Sequence, residues 1–350
     1  MSDKNLKKEV WLNSYPIFLW LVSEPLVGII DSKIASYLNL EVLSAVGVGE
    51  TVYFVFIWIF VFLAYGTTPY VSKLQVSNQI SKLNYFISFG RKASIFIGFT
   101  SCILLVSFSD LLIGLFEPTF EVSLKANSYL VLRSVGLPFY LLNMHSTAVL
   151  RGMKHPKITL YSSIIVGVSN VILSFLLAVI FDFGIQGIAI ASSISFLISA
   201  IYSTRILLTK QQEEDSLNVM VDKKEVRQKF FYVGFYIFIR SMFLTIFMAY
   251  LRNRASLMSM EEIALQHVLL QLWSFGYVFV DALAIAAQTL VSEYKTKFID
   301  YKNSDLKQYL NKLTLRISIF LFIFSSIFLD IFVTLITVSY THLRAHETFA

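Results

Sequence analysis

Apolar residues occur along the chain in blocks of about 20 or more, separated by shorter polar segments. Folded as a helix, a block of that length crosses a hydrocarbon layer of about 30 Å. Each such block therefore predicts one membrane-spanning helix. The nine predicted spans cover approximately 11–36, 44–70, 92–116, 126–150, 158–181, 185–208, 229–251, 263–290 and 313–337. The pattern predicts an all-α protein that crosses a membrane several times.

Composition and charge fit this interpretation and predict an orientation. Of 350 residues, 56% are hydrophobic and only 15% are charged, whereas an ordinary globular protein has about 25% charged residues. Most of the 29 Lys and Arg residues fall in loops that share the cytoplasmic side if the N-terminus is cytoplasmic. Basic loops beside anionic lipid explain the net charge of +6 without a nucleic acid. We expect a multi-pass protein of the inner (plasma) membrane with a cytoplasmic N-terminus.

The chain also repeats itself. Segment 40–73 aligns without a gap on segment 260–293. The identical positions of the first copy are Glu41, Val48, Leu63, Ala64, Val71 and Ser72. Because this offset covers six spans, an even number, both copies have the same orientation and are related by a pseudo-twofold axis along the membrane normal. Two lobes of this kind meeting at a central cleft are typical of a transporter.

The repeat predicts how the chain is divided. We expect an N-terminal six-helix lobe over 1–210, a cytoplasmic linker over 211–228, and an incomplete second lobe over 229–337. This second lobe has three helices, so that nine of twelve are present. The tail "VSYTHLRAHETFA" over 338–350 looks like read-through of a sequencing-library adapter. Its two histidines have the i, i+4 spacing of a zinc helix but lack further ligands, and we expect the tail to be non-native.

Ionisable residues inside the spans are the candidate functional groups, because a charge there is costly unless it faces a cavity or a partner. Asp31, Glu50 and Arg133 fall at similar depth in the outer part of the first, second and fourth spans. Glu24 lies about 10 Å deeper at ~1.5 Å per residue. A carboxylate that water reaches from alternating sides can gain and lose a proton. The alternative is structural: Asp31 pairs permanently with Arg133, and Glu50 reaches the water interface.

The second lobe carries one further pair. Arg240 and Asp281 are predicted within roughly 3 Å of equal depth on antiparallel spans. A structural ion pair is the favoured interpretation, and a gating or second coupling role is the alternative. The aromatic stretch "YFVFIWIFVF" predicts mostly lipid-facing packing, although such rings also stack flat organic cations.

Enzymatic chemistry is not indicated. The sequence contains no nucleophile elbow, HExxH pattern or phosphate-binding loop. Its single cysteine, Cys102, excludes an intramolecular disulfide. We therefore expect no catalytic residue, no metal site and no cofactor.

Several ordered motifs carry a family resemblance: "SEPLVGIIDSKIA", "LSAVGVG", "RSVGLPFYLL", "LRGMKHPK" and "GIQGIAIAS". In these motifs the chain resembles the multidrug and toxic compound extrusion (MATE) transporters, and their DinF-like branch in particular. The resemblance implies two six-helix lobes, alternating access, and export driven by inward flow of protons or sodium. It implies that coupling depends on Asp31 and that Asn170 belongs to the same site. Ser174 stands where the family often has an acid, so this chain departs from a two-carboxylate arrangement.

The resulting hypothesis is a secondary active antiporter that exports amphipathic or cationic organic compounds in exchange for protons or sodium. Its expected partners are a small organic substrate and the lipid bilayer, and we expect a monomer. The alternative is a lipid-linked saccharide flippase of the same wider superfamily. A flippase would need a cationic central cleft, and the single intramembrane Arg133 of the first lobe argues against it.

Overall fold

The computed structural model describes residues 3–211, 222–255, 278–292, 307–324 and 326–327, and every regular element among them is helical. Two helices follow the eleven named below, at Val278–Ser292 and at 307–324. The bounds of the first eleven are α1 Asp3–Leu38, α2 Leu40–Ile59, α3 Phe62–Tyr65, α4 Thr67–Val76, α5 Ile80–Ser107, α6 Ser109–Gly114, α7 Phe120–Ser134, α8 Leu137–Gly152, α9 Pro156–Phe175, α10 Gly184–Lys210 and α11 Lys223–Ala255.

The helices confirm the all-α prediction, and five of them correspond to predicted spans. Among the described residues, five helical stretches are long and apolar enough to cross a membrane. They are Glu41–Val76, Ile80–Ser107, Pro156–Ile180, Gly184–Lys210 and Lys223–Phe247. Shorter apolar helices, Val10–Val22 and Val278–Ser292, fall within the first and eighth predicted spans. Most of the predicted linker and all of the predicted tail, with His342 and His346, lie outside the described residues.

Two predicted spans are not continuous helices. The second is divided into α2, α3 and α4, with interruptions at Phe60 and Gly66. The fourth is divided into α7 and α8 at Val135 and Gly136, two residues before Pro138. Proline fits the first turn of a helix and has no backbone N–H to bond the carbonyl four residues before it, so the helix ends and restarts there. The interruption at Gly66 places Tyr65 at a helix end, and the one at Val135 and Gly136 places Ser134 at a helix end.

The first lobe packs around two buried apolar clusters. One lies among α1, α2, α7 and α10, with Tyr53 and Tyr129 as its largest buried side chains. The other joins α3, α4, α5 and α8 and reaches α11 through Phe230. Many apolar side chains remain exposed on the outer faces, including Phe96, Phe120 and Phe243. Exposed aromatic rings of this kind suit contact with lipid rather than with water.

The internal repeat is visible in a reciprocal contact between the lobes. Ser72 Oγ donates to the carbonyl of Thr289 at 3.1 Å, and Ser292 Oγ donates to the carbonyl of Pro69 at 2.8 Å. In the repeat alignment Ser292 corresponds to Ser72, and Thr289 corresponds to Pro69. The two bonds are therefore equivalent under exchange of the lobes, as expected for a contact on a twofold axis. We call these two bonds the serine clasp.

Close packing of α5 on α8 depends on a glycine. A Cβ atom at Gly98 would lie 2.4 Å from the Cα of Pro138. Because that atom belongs to the backbone, one helix would have to move. We expect Gly98→Ala to cost about 1–3 kcal/mol of unfolding free energy, as overpacking does, and to lower the thermal midpoint in detergent. Gly114→Ala is the matched control, since its Cβ would meet nothing within 4 Å. Equal midpoints for the two variants would contradict the prediction.

Candidate functional site

A cavity of about 1180 Å³, including space open to the outside, lies in the wall of the first lobe. All of its lining residues fall between positions 20 and 196. Four of the predicted site residues line it: Asp31, Glu50, Arg133 and Asn170. One face of the aromatic stretch also lines it, through Tyr53, Phe54, Ile57, Trp58 and Val61. The cavity thus combines a charged end with aromatic walls, the usual composition of a small-molecule site.

Asp31 is the most deeply buried acid of this group, at 1% exposure. Its Oδ1 accepts a hydrogen bond from Ser174 Oγ at 3.1 Å. Among the described residues, Oδ2 has no hydrogen-bond partner. Ser174 lies in the last turn of α9, directly before a π-helical turn over Leu176–Ile180. Single π-helical turns are frequent at functional sites. The position at which the chain departs from the family pattern is thus the hydroxyl that contacts Asp31.

Arg133 makes its ion pair with Glu50 and not with Asp31. The Nη2 atom of Arg133 lies 3.5 Å from Oε1 of Glu50, and no ion pair within 4.0 Å joins Arg133 to Asp31 in the part of the chain that the structure describes. Arg133 and Glu50 still act on Asp31 electrostatically. The alternative in which Asp31 is fixed by a direct pair with Arg133 is therefore wrong for this structure. The cavity brings Asp31, Glu50 and Arg133 together, and their common depth in the membrane stays a prediction.

Amide and hydroxyl groups extend the polar lining. Asn170 Nδ2 donates to Ser192 Oγ at 2.9 Å, while Asn170 Oδ1 is buried without a partner among the described residues. Further along the lobe, Asn143 Oδ1 accepts from Ser162 at 2.9 Å and from Ser203 at 2.7 Å. Sequence reasoning missed Asn143 and Ser192. Serine spacing of three and four along α10 was the available signal, since it places the hydroxyls on one helix face.

The remaining predicted residues are placed differently. Glu24 belongs to α1, but its side chain lies outside the described part of the structure. Asp281 accepts a hydrogen bond from Tyr65 Oη at 3.0 Å. Arg240 is exposed on α11, and the ion pairs of the described residues do not include Arg240 with Asp281. The favoured direct pair is therefore absent from the described residues, and its acid contacts a first-lobe tyrosine instead.

A second buried arginine was also missed. Arg151 lies one residue beyond the predicted fourth span, 126–150, yet the structure places it in α8 at 2% exposure. Its guanidinium carbon lies 4.5 Å from the ring centre of Trp20 on α1. Trp20 and Tyr65 both line the cavity, whereas Arg151 does not. Net hydropathy alone could not distinguish a buried arginine at a helix end from one in a loop.

Comparisons with known proteins agree with these observations. The MatE family model matches residues 16–176. Protein DETOXIFICATION 44, chloroplastic, of Arabidopsis thaliana is 26% identical over 300 residues, covering 81% of this chain and 56% of that protein. Multidrug export protein MepA of Staphylococcus aureus is 23% identical over 231 residues, covering 65% of this chain and 51% of that protein. The chain therefore spans about half the length of these two relatives.

Solved structures share the fold. One, described as "Outward-facing conformation of a multidrug resistance MATE family transporter of the MOP superfamily", gives a TM-score of 0.86 at 19% identity and covers 97% of this chain and 76% of that chain. A second, "Crystal structure of MATE in the bent conformation", gives 0.85 at 19% identity and covers 95% and 75%. None of the reported matches identifies the DinF-like branch, which stays a prediction. Over residues 16–176 the chain is therefore similar to the MatE family, and its apolar helices and shared fold are those of a multi-pass membrane protein.

Proposed function

We propose that the protein is a secondary active antiporter that exports amphipathic, cationic organic compounds in exchange for protons or sodium. The observation that carries the proposal is Asp31, a carboxylate at 1% exposure in the wall of a cavity, with one oxygen unpartnered among the described residues. A buried carboxylate without a direct ion pair is costly inside a membrane. A proton or a sodium ion on Asp31 offsets that cost.

The lining of the cavity supports the substrate class. Two acids, Asp31 and Glu50, face one arginine, Arg133, so the charge of the lining favours a cation. Aromatic rings such as Tyr53 and Trp58 add surface for flat organic molecules. Export of several drugs is also what the name of the MepA relative states. A lipid-linked saccharide flippase is disfavoured, because the described lining has one basic residue and not a cationic cleft.

The position of Asp31 in the cavity lining supports exchange of the coupling ion for the substrate. If ion and substrate bind the same cavity and weaken one another, each promotes release of the other, and the effect on the two affinities is equal. The ion then enters as the substrate leaves. A plasma-membrane location, a cytoplasmic N-terminus and a monomeric state belong to this proposal.

The test uses the full-length protein, reconstituted in vesicles loaded with a cationic dye. A pH gradient and a sodium gradient are imposed separately, and dye efflux is followed by fluorescence. We expect one of the two gradients to accelerate dye efflux. We also expect that gradient to collapse faster in vesicles that contain dye than in vesicles without dye. Efflux at the same rate with and without either gradient would contradict antiport.

A further inference from the structure

We infer that the cavity binds compounds that carry a carboxylate beside their cationic group, with Arg133 as the carboxylate-binding residue. The inference rests on the proposed function only in taking this cavity as the substrate site. It narrows the substrate class from cations in general to amphoteric molecules.

The side chain of Arg133 is held firmly in the cavity wall. It belongs to the last turn of α7 and is 6% exposed. Its guanidinium carbon lies 4.9 Å from the ring centre of Tyr53 and 5.6 Å from that of Tyr129. Gly49 permits this arrangement, because a Cβ atom there would lie 2.6 Å from Cδ1 of Tyr129. Contact with two aromatic faces fixes the plane of the guanidinium while leaving its N–H edge for hydrogen bonding.

Most of that edge is unused. The Nη2 contact with Glu50 is 3.5 Å long, whereas charge-assisted bonds of this type are about 2.7–2.9 Å. Within the described residues, Nε and Nη1 of Arg133 have no partner although both are buried. A buried guanidinium in this state gains from any planar oxyanion that enters the cavity.

The geometry of arginine dictates how a carboxylate would bind. A guanidinium has two forks, one formed by Nε with Nη2 and one by Nη1 with Nη2. Both forks include Nη2, the atom that contacts Glu50. Nη2 carries two N–H groups and each fork uses a different one, so Glu50 leaves one fork for a ligand carboxylate. Glu50 and Asp31 line the same cavity and face the cationic part of that ligand.

The other unpartnered atoms of the lining match the cationic part. Asp31 Oδ2 and Asn170 Oδ1 are acceptors, and neither has a partner among the described residues. An ammonium or iminium N–H supplies the donors that these atoms lack. The lining thus offers hydrogen-bond donors at Arg133 and hydrogen-bond acceptors at Asp31 and Asn170. An amphoteric molecule has a carboxylate for the donors and a cationic N–H group for the acceptors.

The test compares two dyes that differ at one group. Rhodamine 110 carries a free carboxylate, and rhodamine 123 is its methyl ester. Binding to the purified protein in detergent is measured by fluorescence anisotropy, and the readout is the ratio of the two affinities. We expect the wild-type protein to favour the acid by about tenfold, as a bidentate charge-assisted contact allows.

Three variants separate recognition from stability. Arg133→Lys keeps the charge but removes the fork, and we expect the ratio to fall close to one. Glu50→Gln removes the negative charge beside Arg133 that repels a ligand carboxylate, and we expect the ratio to rise. Arg151→Lys is the matched control, because Arg151 is also buried with Nε and Nη1 unpartnered among the described residues but does not line the cavity. We expect this variant to leave the ratio unchanged.

Several results would overturn the inference. The wild-type protein could bind rhodamine 110 no better than rhodamine 123, or bind neither dye. Arg151→Lys could lower the affinity ratio as much as Arg133→Lys does. The affinity ratio could also fall in Glu50→Gln. The Glu50→Gln comparison still tests the inference if Arg133→Lys fails to fold. Binding is measured without a gradient, so it does not depend on antiport. If only the antiport proposal is wrong, the dyes still bind normally but no gradient drives their efflux.

Discussion

Replacing Asp31 with asparagine is expected to abolish gradient-driven export while the protein stays folded. Asparagine has nearly the same shape and can still accept the hydrogen bond from Ser174. It cannot take up a proton or balance a sodium ion. We expect acceleration of dye efflux by the gradient to fall at least about tenfold, within the 5–150-fold range of coupling between two sites. The measurement is efflux from vesicles with and without the gradient.

Two comparisons decide whether the loss arises from coupling. Asp110→Asn is the matched control, because Asp110 is an exposed carboxylate on α6 that contacts only Asn127 among the hydrogen bonds of the described residues. It should export as the wild-type protein does. The thermal midpoint of Asp31→Asn should not fall, since the change removes a buried charge without a direct ion pair. Undiminished gradient-driven efflux in Asp31→Asn would defeat the assignment.

Much of the fold followed from the sequence because the physics involved is local. A run of about 20 apolar residues can satisfy its backbone within a membrane only as a helix, so the spans were predictable without knowledge of their neighbours. The repeat was visible because the two copies share hydrophobic pattern and length. The interruptions inside spans were less predictable. Gly66 and Gly136 mark them, but glycine is also common within continuous membrane helices.

The sequence predicted which residues belong to the candidate site, but not which of them form an ion pair. Cost of burial identified Asp31, Glu50 and Arg133 as residues that need a cavity or a partner. Depth along a helix then grouped them, since it depends only on the rise per residue. The choice of Glu50 over Asp31 as the partner of Arg133 depends on rotation of α1 and α2 about their axes. That rotation is set by packing across the lobe, which a single sequence does not reveal.

The contact between the lobes provides the second large expected effect. Tyr65 ends α3 immediately before the interruption at Gly66, and its hydroxyl donates to Asp281 of the second lobe at 3.0 Å. The serine clasp joins the same two segments, 65–72 of the first lobe and 281–292 of the second. Beside it, Ile17 of α1 packs on Ala282 and Ile285. In a protein that works by alternating access, these contacts must break whenever the lobes separate at this end.

Tyr65→Phe should therefore shift the protein towards the separated state. A hydrogen bond to a charged group contributes about 1.5–3 kcal/mol, so its loss should raise the population of the separated state by about 10–100-fold. The reporter is Ile17→Cys in a Cys102→Ser background, because Ile17 is 2% exposed and is covered by the second lobe. Its rate of reaction with a maleimide, measured on purified protein, should rise by that factor.

The control reporter is Ser195→Cys, which is fully buried within α10 of the first lobe. Its rate should be the same with Tyr65 and with Phe at position 65, because separating the lobes does not uncover it. A rise at both positions would mean general loosening, and no rise at position 17 would mean that the tyrosine does not hold the lobes together. Asp281→Asn should give a smaller increase than Tyr65→Phe, since asparagine can still accept the hydrogen bond but without the charge. That order of effects is what distinguishes a contact made by Tyr65 from an effect of the Asp281 charge alone.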